Sequence, residues 1–150
     1  MAYYQSKFVE TEKLRVEKSA GTSLVINPLA NIVKGNLWAL IKMYILNLLN
    51  HIKNDTRANT SLIYHNGRVF ALCESGPPYE IALPSLNTIG TFDFEGTIKH
   101  NVTSHPQIDP VTKEIMLYGQ SQGISLDAQY LDYAVVDRLT NCQKQLRAIF

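Results

Sequence analysis

Apolar side chains fall at three- and four-residue spacing from Leu37 to Ile52, and at two-residue spacing in short runs from Thr60 onward. The first pattern predicts a helix over 36–53. Asn36 can cap its start; Leu37, Leu40, Ile41, Tyr44, Ile45, Leu48, Leu49 and Ile52 share a face, with Lys42, Asn47, Asn50 and Lys53 mostly opposite. Lys42 interrupts the apolar run, which is shorter than the roughly 20 residues a bilayer span needs. Two readings of that wide face stand side by side. The helix packs on the domain's own core, or it lies in a membrane interface with Trp38 and Tyr44 at the boundary. Upstream, Phe8 and Val9 sit among polar residues, so 7–12 reads as a weak strand. Thr11 to Ala20 reads better as a short charged helix, and Gly21 stops it. Pro28 then marks a loop.

The second pattern predicts strands. Thr60–His65 and Arg68–Glu74 flank Asn66-Gly67, a strong short hairpin signal because both turn residues must take positive φ. Gly76-Pro77-Pro78 turns the chain, Tyr79–Leu83 alternates, Pro84–Asn87 turns again, and Thr88–Phe94 alternates before Gly96. His105–Asp109 leads into a turn at Asp109-Pro110. Glu114–Gly119, Asp127–Asp137 and Lys144–Phe150 follow as further strands. Eight or nine strands at this spacing predict an all-β architecture with one helical insertion, whether sandwich, barrel or propeller. The whole of 1–150 reads as one domain.

Composition narrows the function classes. Hydrophobic residues are 45% and charged residues 18%, which suits a globular core rather than a disordered chain. The formal net charge is +1 and the basic residues are scattered, so no nucleic-acid partner is expected. Cys73 and Cys142 lie far apart and outside any paired motif, so a disulfide framework or zinc ribbon is excluded. The first residues carry no apolar stretch of the secretory kind, and a cytoplasmic location is expected. Three sequons, at Asn54, Asn59 and Asn101, are then chance occurrences.

Candidate chemistry gathers in Thr103-Ser104-His105-Pro106 and in Leu72-Cys73-Glu74. His105 taken alone is a strand-end residue or a metal ligand. Glu74 taken alone is a solvent-facing charge. Their surroundings change that. Ala58-Asn59-Thr60-Ser61, Tyr64-His65-Asn66-Gly67-Arg68, Ala71-Leu72-Cys73-Glu74-Ser75-Gly76 and Pro78-Tyr79-Glu80 follow one another in order. Leu86-Asn87-Thr88-Ile89-Gly90, Phe92-Asp93-Phe94, Ser104-His105-Pro106, Ile108-Asp109-Pro110 and Tyr118-Gly119 continue the series. Phe8–Lys13 and Tyr130–Asp137 fit its two ends. Together these resemble the carotenoid cleavage oxygenase family over nearly the whole chain.

The resemblance implies a seven-bladed β-propeller, of which this chain would form about the first two blades. It implies ferrous iron, Fe(2+), held on the axis by four histidines. His105 matches the first of them, and Glu74 matches an acid that hydrogen-bonds ligand histidines from behind. Neutral imidazoles suit iron, and a carboxylate behind an imidazole fixes its tautomer. His51, His65 and His100 match no ligand position and read as surface or structural. The remaining ligand histidines lie beyond the strands present, so the chain is expected to be a fragment, inactive alone. The implied activity is dioxygen-dependent cleavage of a conjugated carbon–carbon double bond in a carotenoid or apocarotenoid. Stilbene-cleaving relatives tend to carry lysine where this chain has Cys73, which leans away from stilbenes. The helical insertion over 36–53 occupies the family's membrane-docking place, which favours peripheral membrane contact. Rival readings are a non-catalytic fragment, a retinoid ester isomerase and an interaction module without cofactor.

Overall fold

The Asn66-Gly67 hairpin forms as its sequence requires in the computed structural model, which describes residues 4–21, 37–38, 41, 45, 56–74, 76–96, 98, 101–121, 130–137 and 143–149. Asn66 has φ 48° and Gly67 φ 77°, the left-handed pair of a turn whose twist matches its strands. It joins β1 (Ser61–His65) to β2 (Arg68–Leu72), with Ser61 opposite Leu72 and His65 opposite Arg68. With β3 (Tyr79–Ala82) and β4 (Asn87–Thr91) these strands make a four-stranded antiparallel sheet in sequence order. A second four-stranded sheet, also antiparallel and in sequence order, is built from β5 (Gln107–Ile108), β6 (Ile115–Ser121), β7 (Tyr130–Val136) and β8 (Gln143–Ile149).

Strand ends differ from the alternation for local reasons. The alternation carries β4 to Phe94, but the strand stops at Thr91. Phe94 and Glu95 take φ 53° and 60°, which no strand can continue. Asp93 then closes a turn, its Oδ1 accepting from Gly96 N at 2.9 Å and its carbonyl from Ile98 N at 3.0 Å. The weak strand over 7–12 does not form. Residues near it instead hold to the first sheet by side chains. Gln5 Nε2 donates to the Ser85 carbonyl at 3.2 Å and Lys7 Nζ to Asn87 Oδ1 at 2.6 Å.

The chain divides into two compact units, residues 1–9 with 58–150, and residues 10–57. The first holds both sheets, and the second holds α1 (Glu12–Ala20). The Thr11 side chain caps that helix, accepting from Leu14 N at 3.1 Å. Gly21, at φ 63°, ends it. Of the helix expected over 36–53, Leu37, Trp38, Ile41 and Ile45 are described. All four are helical and exposed; the other positions lie outside the described residues.

The first unit has a smaller buried cluster of Ala58, Ala71 and Tyr79, backed by Val9 and Ile81, and a larger one that joins the two sheets. Ile115 and Leu117 of β6 and Ala134 and Val136 of β7 alternate inward and meet Phe94, Ile98 and Val102 from the connection between the sheets. Ile63 of β1 and Phe92 pack against them from the first sheet. The rings of Phe70, Phe92 and Phe94 interlock with centroids 5.0 to 5.8 Å apart, a spacing at which tilted aromatic pairs attract. Arg68 lies 4.7 Å over the Phe92 ring and reaches Glu80 at 3.4 Å.

Candidate functional site

β1 sets one side of the site. Its residues alternate, so Ser61, Ile63 and His65 share a face while Leu62 and Tyr64 point the other way, 71% and 65% exposed. All three residues of the first face meet the second half of the unit. Ser61 Oγ donates to the Ser104 carbonyl. Ile63 packs on the shared core. His65 is buried against Asp137 at the end of β7. Burial holds the His65 imidazole below its ordinary pKa, partly offset by a hydrogen bond to the Asp137 backbone and by attraction to that residue's charge. Its Nε2 is buried without a hydrogen-bond partner among the described residues. His65 is thus buried between the sheets rather than on the surface. His51 and His100 lie outside the described residues.

His105 sits on a break in the second sheet. Thr103 N donates to the Tyr118 carbonyl at 2.6 Å, and four residues later Gln107 pairs with Met116. Between those anchors the partner strand advances only two residues, from Tyr118 to Met116. The excess is taken up as a bulge through Ser104, His105 and Pro106. Such bulges re-aim side chains next to functional sites. Thr103 and Ser104 turn inward and are buried, whereas the His105 ring is exposed. His105 N donates to Thr103 Oγ1 at 3.0 Å, and Pro106 has no amide to leave unpaired. Below the bulge, Asp109 Oδ1 accepts from Val111 N at 2.7 Å and Thr112 N at 2.8 Å. Those Thr112 and Val111 amides hold the Asp109 carboxyl below its ordinary pKa.

Glu74 follows β2 and is exposed. β2 ends at Leu72, two residues before the expected Glu74, so Glu74 is released from the ladder and free to aim its side chain. Ser104 Oγ donates to Glu74 Oε1. Glu74 is thus tied to Ser104, the residue that precedes His105 in the chain. Among the described residues no hydrogen bond runs from the His105 ring to Glu74. Ser61, Thr103 and Ser104 carry no signal in the sequence that marks them for this site; only the packing of β1 against the bulge does.

As a metal centre the described residues offer one exposed imidazole, next in the chain to a serine that binds an acid. The described residues hold no cluster of three or more His, Cys, Asp or Glu that could close around an ion. The donor chemistry of a single imidazole suits one corner of a nitrogen-donor metal shell, and the described residues supply no more of one. Among the described residues no helix is long and apolar enough to cross a membrane.

The family model described as Retinal pigment epithelial membrane protein matches residues 1–149. The chain is 31% identical over 146 residues to the carotenoid 9,10(9',10')-cleavage dioxygenase 1 of Arabidopsis thaliana, covering 91% of this chain and 26% of that protein. It is 42% identical over 86 residues to the isoeugenol monooxygenase of Pseudomonas putida, covering 55% of this chain and 17% of the other. The crystal structure of the Pseudomonas brassicacearum lignostilbene dioxygenase superposes with a TM-score of 0.67 at 27% identity, over 95% of this chain and 26% of that one. The chain thus spans about a quarter of the length of such relatives.

Proposed function

Since this chain belongs to the retinal pigment epithelial membrane protein family, we propose that it is part of a non-haem iron dioxygenase that cleaves a conjugated carbon–carbon double bond of a carotenoid or apocarotenoid. The observation that carries the reading is the exposed His105 ring on a bulge whose neighbouring residue binds Glu74. The relatives' names, a carotenoid cleavage dioxygenase among them, support the substrate class. The two consecutive four-stranded meanders suit the first two blades of a seven-bladed propeller.

On this reading His105 is one ligand to ferrous iron, and Glu74 accepts a hydrogen bond from a ligand imidazole, fixing its tautomer. Iron, when bound, supplies the activation of dioxygen. The chain's own part is positional. The bulge points an imidazole outward, the buried Thr103 and Ser104 fix its backbone, and the aromatic and aliphatic packing between the sheets keeps that backbone rigid. Leu37, Trp38, Ile41 and Ile45 present an exposed apolar set on helical residues, which supports peripheral contact with the membrane where such polyenes dissolve.

A second reading, cleavage of a stilbene by the same chemistry, is favoured by the likeness to the lignostilbene dioxygenase. Product analysis with labelled dioxygen on a carotenoid and on a phenolic stilbene separates the two. Iron content tests the site itself. His105→Ala is expected to lower bound iron while leaving the melting temperature within about 2 °C, because an exposed ring contributes little to stability. Unchanged iron content in that variant refutes the assignment.

A further inference from the structure

Ser104 is fully buried, yet its hydroxyl reaches an exposed carboxylate. That combination is unusual, since a buried hydroxyl usually satisfies itself on nearby backbone. Here the neighbouring backbone bonds are taken by other groups. The Ser104 carbonyl accepts from Ser61 Oγ, Thr103 N donates to Tyr118, and His105 N donates to Thr103 Oγ1. The segment is therefore held on β1 and β6 without help from the Ser104 hydroxyl. The hydroxyl is directed wholly at Glu74. Among the described residues, Ser104 is the one donor to that carboxylate, and it binds Oε1, leaving Oε2 for another donor.

We propose that Ser104 is a positioning residue, whose hydroxyl holds the Glu74 carboxylate at a fixed place relative to the His105 backbone. This inference rests on the reading of His105 and Glu74 as parts of an iron site. A glutamate side chain on a turn samples many rotamers and loses that freedom when it is ordered. A charge-assisted hydrogen bond from a buried, immobile hydroxyl selects one of them in advance. The free oxygen is then presented in one direction before any imidazole N–H arrives. Ser61 completes the device from the other side, because it anchors the Ser104 carbonyl and so fixes where the hydroxyl starts.

The first arm of the test is nuclear magnetic resonance on the metal-free chain. Ser104→Ala is expected to lower the order parameter of the Glu74 methylene groups towards that of a free surface glutamate, while the amide of His105 stays protected. The second arm is iron(II) titration of the iron-binding protein. Ser104→Ala is expected to weaken iron(II) binding about tenfold, the lower end of what outer partners of ligand histidines contribute. Glu74→Ala with Ser104→Ala is expected to match Glu74→Ala alone, since Ser104 acts only through Glu74. Unchanged Glu74 order, or effects of the two substitutions on iron affinity that add in full, overturns the proposal. If the unsubstituted protein takes up no iron, the iron-site reading fails, whereas the resonance arm still decides whether Ser104 orders Glu74.

Discussion

Replacing Phe94 by alanine tests whether the seam between the two sheets holds the site in place. The ring is 1% exposed and lies 5.8 Å from Phe70 and 5.0 Å from Phe92. It belongs to one buried cluster with Ile98, Val102, Ile115, Leu117, Ala134 and Val136. Removing a buried phenylalanine costs about 3–5 kcal/mol, the larger values where neighbours cannot collapse into the space. Collapse is hindered here, because β6 and β7 are fixed by their own ladder. The lost aromatic geometry adds weight to the upper half of that range. No compensation comes from the backbone. Alanine at φ 53° keeps the same left-handed strain. The expected loss is about 4 kcal/mol, a large share of the roughly 5–15 kcal/mol that stabilises a typical domain. For a chain of this size it corresponds to a fall of about 10 °C or more in melting temperature. Urea unfolding followed by far-ultraviolet circular dichroism measures it, with the midpoint shifted and the slope kept. Ile89→Ala, at an exposed β4 position, serves as the control and should stay within about 0.5 kcal/mol. A loss under about 1.5 kcal/mol for Phe94→Ala would mean that the sheets do not rely on this ring.

Three further outcomes follow from single residues. Because burial lowers the His65 pKa in the folded chain, the unfolded chain binds more protons as pH falls below its ordinary value near 6.5. Unfolding free energy should therefore fall as pH drops from there towards the folded value, with no contribution above it; His65→Gln should flatten that slope, and an unchanged slope refutes the account. Gly67→Ala meets no atom within 4 Å, so its cost comes from φ 77° alone. Thermal denaturation should show a loss of about 1–2 kcal/mol, and a neutral result would mean the turn relaxes to another type. Ser61→Ala removes the donor to the Ser104 carbonyl and should speed hydrogen exchange at the His105 amide several-fold, which isotope-exchange measurement checks directly.

Much of the architecture was legible from residue order. Asn66-Gly67 dictated a two-residue hairpin, because few pairs tolerate two successive positive φ values, and the alternation around it placed strands close to where they lie. Gly21 marked the end of α1 by chemistry that is local, whereas Thr11, read as its first residue, proves to be its cap. The likeness to carotenoid cleavage oxygenases rested on motifs spread along the chain, and the family match bears it out. What the residues alone could not decide was which face of β1 turns inward. Leu62 and Tyr64 are the more apolar pair beside Ser61 and His65, yet they face outward. A strand's period says that two faces exist; the partner packed against it chooses between them. Here the second sheet offers a carbonyl to Ser61 and a backbone acceptor to His65, so polar residues go in. The same packing created the contact between Ser104 and Glu74, residues 30 apart in sequence. Local rules determined the strands, turns and caps, whose bonds close within a few residues. Only the tertiary structure decided the site, because its hydrogen bonds join elements that no short stretch of chain brings together.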